Sequence, residues 1–469
     1  MNFVLEMLRL NSERIPENNA YVFKEKFITF KELYEKSLLY GKILRQQGTS
    51  PVIIKCDKSV ESYLEIFSCI QSGRPYIPVD FLMPDERTEM IKLKCKSDLI
   101  LTPDSLKNIE IISGKNSINP INPIPEDKQI DENKIIYIIS TSGSTGEPKE
   151  VPISYKNLFN FCKWISSVKY LKSYENKIVL NNSNFSFDLS VFSLFYSLMK
   201  GHTLISVDLG FDTADGFYDL NVFDSSIICA TPSLLKLLLL NHEFDSNQCR
   251  NLKFIFSCGE ILEPSVARNL FKRFSDVKIF NAYGPTEATC AVCGSFITLD
   301  MCEKDVLPMG DMGLSAVKIE FDKAEIILKG DSVFSGYLGE CHKSSYSENG
   351  INCFKTCDLA FVKENQIYFK GRSDFQIKYS GYRIDLCDIE LNLKAINGIK
   401  DAVVTAKRDE KGRVILLIAY VVSDLNEKEI RKELLKKIPK YMIPKKIEIL
   451  DKIPVNKNGK IDRRYLETI

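Results

Sequence analysis

The chain has 469 residues, of which 44% are hydrophobic and 27% are charged, a composition typical of a soluble globular protein with about two to four domains. Its 63 lysine and arginine residues balance 62 aspartate and glutamate residues, so the net charge of +1 provides no basic field for nucleic acid or an anionic membrane. These figures exclude a disordered chain and favour a small ligand with charged groups as the partner.

The N-terminal ten residues place leucines at helical spacing among charges, which predicts a surface helix and no signal peptide. The most apolar stretch elsewhere, 191–199, is shorter than the ~20 residues that span a bilayer. We therefore expect no stable membrane insertion and a cytoplasmic location. Fourteen cysteines in such a chain predict reduced thiols. The lone pair Cys290 and Cys293, with three scattered histidines, predicts neither a zinc site nor a redox site.

Helical and strand-like segments alternate along the chain, which predicts an α/β protein. A polar stretch with prolines, 117–133, predicts an exposed connection. Near Gly371 the pattern changes to short strands and helices, including the amphipathic segment 427–437. We therefore predict a first domain over residues 1–373 and a smaller α+β domain over 374–469.

The most informative segment is 138–152, where hydroxyls, glycines and one lysine lie between two apolar runs. Small residues let the backbone approach an anion, while N–H groups, hydroxyls and the lysine can bind its oxygens. The glycine spacing differs from that of a P-loop, and an extended piece follows, so we predict two strands joined by a mobile loop. The predicted phosphate ligands are Thr141, Ser142, Gly143, Ser144, Thr145, Gly146 and Lys149. On this segment alone, a solvated surface turn stays open as the alternative.

Further segments resemble those of the adenylate-forming enzymes in their order and approximate spacing. They are 281–289, 371–378, 381–385 and 454–460, with weaker matches at 27–33, 73–80, 330–337 and 354–359. The resemblance spans nearly the whole chain, and the co-occurrence is far more specific than any single segment. It implies a large N-terminal domain of two α/β-sheet subdomains plus a small distorted β-barrel, followed by a small mobile α+β C-terminal domain that carries Lys460.

The resemblance also implies a reaction, in which a carboxylate attacks the α-phosphate of ATP to give an acyl adenylate and pyrophosphate. Because two anions must meet, donors and cations are required where charge gathers in the transition state. In the family the lysine at the position of Lys460 reaches the carboxylate and the phosphate. Thr286 would donate to phosphate, and Glu287 would bind Mg²⁺ together with substrate phosphates.

The same resemblance places the nucleotide. Tyr283 would lie against adenine, while Asp358 and Arg372 would hold the ribose. The remaining residues of the implied nucleotide site are Gly259, Glu260, Asn281, Ala282, Gly284, Pro285, Phe369, Lys370 and Gly371. Each of these residues could instead be an ordinary surface residue.

Two positions depart from the family pattern. Glu150 stands where a glycine commonly follows the loop lysine, and a carboxylate that pointed inward would weaken phosphate binding. We therefore expect Glu150 to face solvent. Cys357 replaces the glycine usual before Asp358, which demands a backbone angle that a cysteine can adopt.

The acid that is activated depends on segment 184–191. In the amino-acid-activating branch, the aspartate of F-D-x-S-V pairs with the substrate ammonium, so Asp188 predicts an amino acid; a helix cap is the alternative role. The pocket walls implied by this branch carry no charge: Leu189, Phe192, Cys229, Phe256, Cys258, Ala282, Cys290 and Ala291. The bulk of Leu189, Phe192 and Phe256 predicts a small apolar side chain.

The combination of F-D-L-S-V with 258–260 resembles the D-alanine–carrier protein ligases in particular. In that group the cysteine at the position of Cys258 bears on the substrate methyl, so it could discriminate handedness, and D-alanine is favoured. Plain core packing is the alternative for Cys258.

A second half-reaction is implied, in which the small domain rotates about Asp374 and the acyl group passes to a thiol through a tunnel lined by Gly381. No carrier signature follows Lys460. We therefore expect a freestanding, monomeric ligase and a separate phosphopantetheinylated carrier protein. The alternatives are a freestanding adenylation enzyme for another small amino acid, an acyl- or aryl-CoA ligase, and a non-catalytic nucleotide-binding relative.

Overall fold

The structure is a computed structural model. It describes residues 2–103, 105, 131–172, 177–208, 224–339, 343–379, 381–409, 414–454 and 461–468. Most of the predicted connection 117–133, up to residue 130, therefore lies outside the described residues. Within the described ranges, no helix is both long and apolar enough to cross a membrane.

The chain folds into two compact units, neither of which is one continuous stretch of sequence. The large unit comprises Met1–Phe81, Lys96–Ile139 and Val151–Gly371. The small unit comprises Leu82–Cys95, Ser140–Glu150 and Arg372–Ile469. The last of these breaks falls between Gly371 and Arg372.

The helices and strands are numbered in chain order. The helices are α1 (Phe3–Arg14), α2 (Phe30–Gln46), α3 (Val60–Ser72), α4 (Asp85–Cys95), α5 (Tyr155–Ser167), α6 (Leu189–Lys200), α7 (Pro232–Leu240), α8 (Pro264–Arg273), α9 (Leu386–Lys394), α10 (Glu427–Leu434) and α11 (Arg463–Leu466). The strands are β1 (Asn19–Phe23), β2 (Lys26–Thr29), β3 (Val52–Cys56), β4 (Tyr76–Asp80), β5 (Leu99–Leu101), β6 (Ile135–Thr141), β7 (Lys149–Ser154), β8 (Ile178–Asn181), β9 (Thr203–Ser206), β10 (Ile227–Ala230), β11 (Phe254–Ser257), β12 (Lys278–Tyr283), β13 (Cys293–Ile297), β14 (Gly310–Asp311), β15 (Lys318–Asp322), β16 (Glu325–Lys329), β17 (Ser345–Glu348), β18 (Ile351–Lys363), β19 (Gln366–Arg372), β20 (Gln376–Tyr379), β21 (Tyr382–Asp385), β22 (Ile399–Arg408), β23 (Val414–Ser423) and β24 (Lys446–Ile449).

An eight-stranded sheet is the centre of the large unit, in the order β13-β12-β11-β10-β8-β9-β1-β2. Its inner strands are parallel, whereas β13 and β2 pair antiparallel at the two edges. Strands β10 and β11 are buried along their whole length, which suits the continuous apolar runs of a parallel sheet covered on both faces. Helix α6, which is apolar almost all round, is buried likewise.

A second sheet has five strands in the order β5-β3-β4-β6-β7, of which β5, β3, β4 and β6 are parallel. Helices α2 and α3 each begin with a side-chain cap, Thr29 for α2 and Ser59 for α3. A third sheet is antiparallel, in the order β14-β19-β18-β16-β15, and β17 pairs with β18. This third sheet stands where the small distorted β-barrel is predicted.

The small unit contains the hairpin β20-β21 and the sheet β22-β23-β24. Its core includes Ile389 and Leu393 of α9, packed with apolar residues of β22 and β23. The predicted amphipathic segment 427–437 forms α10, which buries Ile430 and Leu434. The α-helix ends at Leu434, a few residues before Pro439, which is a common stop for a helix.

The thirteen cysteines in the described ranges are all free, and eleven of them are buried. Buried thiols of this kind pack as small apolar groups. Cys290 and Cys293 are both among the buried ones.

Candidate active site

The predicted site residues of the large unit follow the carboxyl ends of neighbouring parallel strands. Asp188 lies between β8 and α6, Cys258 follows β11, and Tyr283 ends β12. Strands β8, β10, β11 and β12 are parallel neighbours, so these ends share one edge of the sheet. Ligands of open α/β sheets bind at this edge, which makes it the candidate active site.

Asp188 and Thr286 meet at this edge. The Thr286 hydroxyl donates a hydrogen bond of 2.6 Å to Asp188 Oδ2. Thr286 begins the short 3-10 turn Thr286–Ala288, immediately beyond β12. Asp188 occupies the N-cap position of α6, but its side chain makes no capping hydrogen bond. The structure therefore turns the carboxylate toward Thr286 and not toward its own helix.

Glu287 follows Thr286 and is fully buried. Its Oε1 accepts a hydrogen bond of 2.6 Å from the Tyr337 hydroxyl, and its carbonyl accepts one of 2.9 Å from the Phe334 N–H. Among the residues described, no group of three or more His, Cys, Asp or Glu side chains could hold a metal ion. A single carboxylate still fits Mg²⁺, because that ion commonly takes one or two protein carboxylates and completes its shell with water and substrate phosphates.

Tyr283 and Asp358 form a second contact between distant parts of the large unit. The Tyr283 hydroxyl donates 2.7 Å to Asp358 Oδ2, and both residues are buried. Asp358 follows Cys357, whose φ of 59° lies in the left-handed region that favours glycine and that a cysteine adopts only at a cost. The Cys357 N–H donates 2.9 Å to Glu325 Oε1, which stabilises that turn of the strand.

The eight predicted pocket-wall residues are all buried: Leu189, Phe192, Cys229, Phe256, Cys258, Ala282, Cys290 and Ala291. The rings of Phe192 and Phe256 stack with centroids 4.1 Å apart and planes 7° apart. Cys229 is paired in register with Phe256 on the next strand. Burial is the main cause that raises the pKa of the Cys290 thiol, and the neighbouring Asp188 charge adds to it. The wall residues and Asp188 therefore lie together at the carboxyl edge of the eight-stranded sheet.

Other predicted nucleotide residues hold the backbone at the same edge. A Cβ on Gly284 would lie 2.5 Å from Ala291 Cα, so only glycine fits there. Asn281 donates 2.8 Å to the Pro308 carbonyl. Glu260, which follows Gly259, accepts 2.8 Å from the Ser233 N–H at the N-terminus of α7. Pro285 precedes the 3-10 turn that carries Thr286 and Glu287.

The predicted phosphate loop has the expected strand–loop–strand form, with β6 ending at Thr141 and β7 beginning at Lys149. Ser144 and Thr145 are exposed at its tip. The Ser142 hydroxyl donates 3.0 Å to the Arg383 carbonyl and accepts 3.0 Å from the Asp385 N–H.

Two further observations describe how the loop packs. The Gly146 carbonyl accepts 3.2 Å from Asn392 of α9. A Cβ on Gly143 would lie 2.3 Å from the Glu147 carbonyl oxygen and 3.1 Å from Lys149 Cγ. Lys149 therefore packs across the glycine of its own loop.

The expectation that Glu150 faces solvent is wrong. Glu150 is 1% exposed, and its Oε2 accepts 2.5 Å from the Ser140 hydroxyl. Its Oε1 has no hydrogen-bond partner among the described residues. Burial raises the pKa of Glu150 to about 7, against the lowering effect of Ser140 and of the charges on Lys94 and Arg87. The carboxylate is buried because helix α4, brought in from residues 85–95, covers this face.

Phe369, Lys370 and Gly371 lie near the end of β19 in the large unit, and Arg372, the last residue of that strand, opens the last segment of the small unit. Arg372 pairs with Asp374 at 2.7 Å and donates 2.9 Å to Gln376 Oε1. Burial pushes the pKa of Asp374 up, but Arg372 brings it below its usual range. The ribose and hinge roles of Arg372 and Asp374 stay predictions.

Comparison with known proteins decides the family. The AMP-binding enzyme model matches residues 8–338, and the AMP-binding enzyme C-terminal domain model matches residues 388–460. The chain belongs to the AMP-binding enzymes. The predicted resemblance to the adenylate-forming enzymes is therefore confirmed.

Full-length relatives of this AMP-binding enzyme are known from several bacteria. The D-alanine–D-alanyl carrier protein ligase of Bacillus cereus is 33% identical to it, over 99% of this chain and 98% of that protein. The ligase of the same name from Listeria welshimeri is 34% identical over the same shares. These relatives are named as ligases, which agrees with the predicted class of enzyme.

Solved structures share the fold of this AMP-binding enzyme. The Vibrio cholerae adenylation domain AlmE, in complex with glycyl-adenosine-5'-phosphate, matches with a TM-score of 0.83 at 19% identity, over 99% of this chain and 96% of that one. An o-succinylbenzoate CoA synthetase of Bacillus subtilis matches with a TM-score of 0.81 at 20% identity, over 99% and 98%. The predicted fold class is confirmed.

Lys460, the lysine predicted to contact the reacting groups, lies outside the described residues, as do 455–459. Pro454 just before them and α11 just after them are described. Its catalytic role therefore stays a prediction of the sequence.

The structure adds residues that sequence reasoning did not assign. Tyr337 lies within one of the weaker matching segments, 330–337, but nothing in the sequence indicates that its hydroxyl reaches Glu287. Arg87 and Asp388 form a buried bidentate pair, at 3.2 and 2.7 Å. They are 301 residues apart, and no local pattern connects them.

Proposed function

We propose that this AMP-binding enzyme activates a small amino acid, with D-alanine favoured, as an aminoacyl adenylate, and then transfers the aminoacyl group to the phosphopantetheine thiol of a separate carrier protein. Two full-length relatives that are 33% and 34% identical carry the name D-alanine–D-alanyl carrier protein ligase. The amino acid, its handedness and the carrier are inferred from those names and from the residues at the sheet edge.

The contact between Asp188 and Thr286 carries this proposal. An α-amino acid holds its ammonium and carboxylate on one carbon atom, so the ligands for the two groups must be neighbours. The 2.6 Å hydrogen bond joins the proposed ammonium ligand directly to the proposed phosphate ligand. An ammonium on Asp188 would therefore place the substrate carboxylate beside the phosphate that Thr286 binds. Fatty and aryl acids require no such pair.

The pocket walls support a small side chain. Phe192 and Phe256 stack tightly and are fully buried, so neither ring can move aside without breaking that contact. Cys258 is buried at the end of β11 and is the proposed neighbour of the substrate methyl. A single substitution in such a pocket changes selectivity by ~1 to 3 kcal/mol.

The proposed reaction has two steps. First, an oxygen of the amino-acid carboxylate bonds to the α-phosphorus of ATP while the bond from that phosphorus to the pyrophosphate oxygen breaks. Asp188 holds the ammonium, and the Thr286 hydroxyl, once the ammonium takes its place on Asp188, donates to the charged phosphate oxygens. Mg²⁺ at Glu287 would neutralise phosphate charge. Second, the carrier thiol passes its proton to water, its sulfur bonds to the carbonyl carbon, and the bond from that carbon to the phosphate oxygen breaks, so that AMP leaves.

Labelled pyrophosphate exchange into ATP tests the first step. Purified protein is incubated with ATP, Mg²⁺ and a panel of small amino acids that contains both enantiomers of alanine. We expect exchange to be fastest with D-alanine and to require the amino acid. Exchange with none of the panel would overturn the proposal. A second assay with coenzyme A in place of the carrier and simple acids in place of amino acids would then identify an acyl- or aryl-CoA ligase.

A further inference from the structure

We call Ser140 and Glu150, the residues at which the predicted phosphate loop leaves its two strands, the neck of the loop, and the buried Glu150 carboxylate joins them. Ser140 is the second-last residue of β6, and Glu150 is the second residue of β7, so their 2.5 Å hydrogen bond joins the two strands at the point where the loop leaves them. The Thr141 hydroxyl makes a second, longer contact across the neck, at 3.4 Å to the Lys149 carbonyl. The side chain that the sequence assigned to solvent is therefore part of the support of the loop.

Helix α4 covers the other side of Glu150. Lys94 of that helix donates 2.9 Å to the Pro148 carbonyl and pairs with Glu147 at 3.0 Å. The charged and titratable groups that face Glu150 are Lys94, Arg87 and the Cys95 thiol, all from α4. Behind them, Arg87 pairs with Asp388. Glu150 thus faces two cationic side chains of α4, and each of them also pairs with another carboxylate, Arg87 with Asp388 and Lys94 with Glu147.

The alternation of side chains along β7 links the position of Lys149 to that of Glu150. Successive residues of a strand point to opposite faces, so a carboxylate fixed on the α4 face fixes the preceding side chain on the other face. Lys149 does lie across Gly143, the first glycine of the loop. Its position over the loop therefore depends on the residue that follows it.

We propose that Glu150 is a positioning residue, which ties the neck of the loop to Ser140 and α4 and thereby aims Lys149 at the nucleotide phosphates. This proposal rests on the proposed function for its ligand, ATP. The structural half of it, the fixed neck, concerns the protein alone. Glu150 contacts no reacting group and acts through Lys149 and the loop backbone.

Hydrogen exchange of the ligand-free protein tests the fixed neck without any substrate. Glu150→Ala removes the acceptor, whereas Asp451→Asn removes one negative charge from an exposed position of the same unit, outside the loop and α4, and serves as the control. We expect amides of 141–149 to exchange about tenfold faster in Glu150→Ala and at the native rate in Asp451→Asn. Equal exchange in the two variants would overturn the proposal.

Steady-state kinetics test whether Glu150 positions Lys149 for the binding of ATP. Glu150→Ala is expected to raise the KM for ATP about tenfold with a smaller change in kcat, while Asp451→Asn stays within about twofold. Glu150→Gln keeps an acceptor for Ser140, so it should restore most of the KM for ATP. A KM in Glu150→Gln as high as that in Glu150→Ala would overturn the role of the Ser140 hydrogen bond. If no amino acid supports pyrophosphate exchange, the proposed function fails. The amide hydrogen exchange of the ligand-free protein then still shows whether Glu150 fixes the neck, so the two proposals can fail separately.

Discussion

The carboxylates at the candidate active site and Asp388 of the small unit are stabilised by different partners. At the sheet edge, Asp188, Glu287 and Asp358 each accept a hydrogen bond from a hydroxyl, at 2.6, 2.6 and 2.7 Å. In the small unit, Asp388 is fully buried and accepts two hydrogen bonds from the guanidinium of Arg87.

This difference predicts which residues serve a ligand and which serve the fold. A hydroxyl orients a carboxylate and leaves its negative charge in place, ready for an ammonium or a metal ion. A guanidinium neutralises the charge in a fixed bidentate geometry. The contrast predicts that changes at the sheet edge alter ligand binding, whereas changes at Arg87 alter stability.

The largest expected effect is on substrate activation by Asp188→Asn. The substitution keeps the size of the side chain and the acceptor for Thr286 but removes the charge that would pair with the ammonium. We expect kcat/KM for D-alanine in pyrophosphate exchange to fall about 1000-fold, as for the loss of one partner of a desolvated charge pair. The melting temperature should change little.

Asp276→Asn is the matched control, because it removes one negative charge from an exposed position of the same unit. Its activity should remain within about twofold of the native value. Equal activity of Asp188→Asn and Asp276→Asn would show that the carboxylate at the sheet edge does not bind the substrate ammonium.

A smaller effect, on stability alone, is expected for Arg87→Ala. The variant leaves the Asp388 carboxylate buried without its cation, which costs about 3 kcal/mol. Lys92→Ala on the same helix is the control, because Lys92 pairs with Glu89 at the surface and such pairs contribute less than about 1 kcal/mol. Urea denaturation followed by circular dichroism measures both. A loss below 1 kcal/mol in Arg87→Ala would show that Asp388 finds another partner or takes up a proton.

These contacts mark the limit of what the sequence predicts. The strand–loop–strand form of 138–152 and the helix within 427–437 come from local patterns of apolar, polar and glycine residues, whereas the place of Asp188 comes from the resemblance to the amino-acid-activating branch. The direction of Glu150 comes from neither, because it is decided by Ser140 and by a helix that lies more than fifty residues earlier in the chain. The Arg87–Asp388 pair joins two ordinary charged positions on separate helices, and neither neighbourhood signals the other.

Glu65 provides a third kind of carboxylate and the smallest expected effect. It is fully buried in α3, and neither of its oxygens has a hydrogen-bond partner among the described residues. Burial is the main cause that raises the pKa of Glu65 from 4.5 to about 8, and the charges of Asp57 and Glu61 add to it. A carboxyl with neither a hydroxyl nor a cation therefore stays protonated at neutral pH.

The sign of the pH dependence follows from this raised pKa. The folded state holds the Glu65 proton more tightly than the unfolded state, so its contribution to stability is fully present below about pH 4.5 and is lost as the pH rises through about 8. Glu65→Gln cannot ionise, and we expect it to unfold with a free energy about 2 kcal/mol higher than that of the native protein at pH 9 and nearly equal at pH 5. Glu35→Gln, an exposed position on α2, should show no such difference between the two pH values. Urea denaturation at both pH values measures the free energy of unfolding. If that free energy changed equally between the two pH values in Glu65→Gln and Glu35→Gln, Glu65 would be ionised in the folded protein. The contrast between hydroxyl-paired and cation-paired carboxylates would then need no third kind.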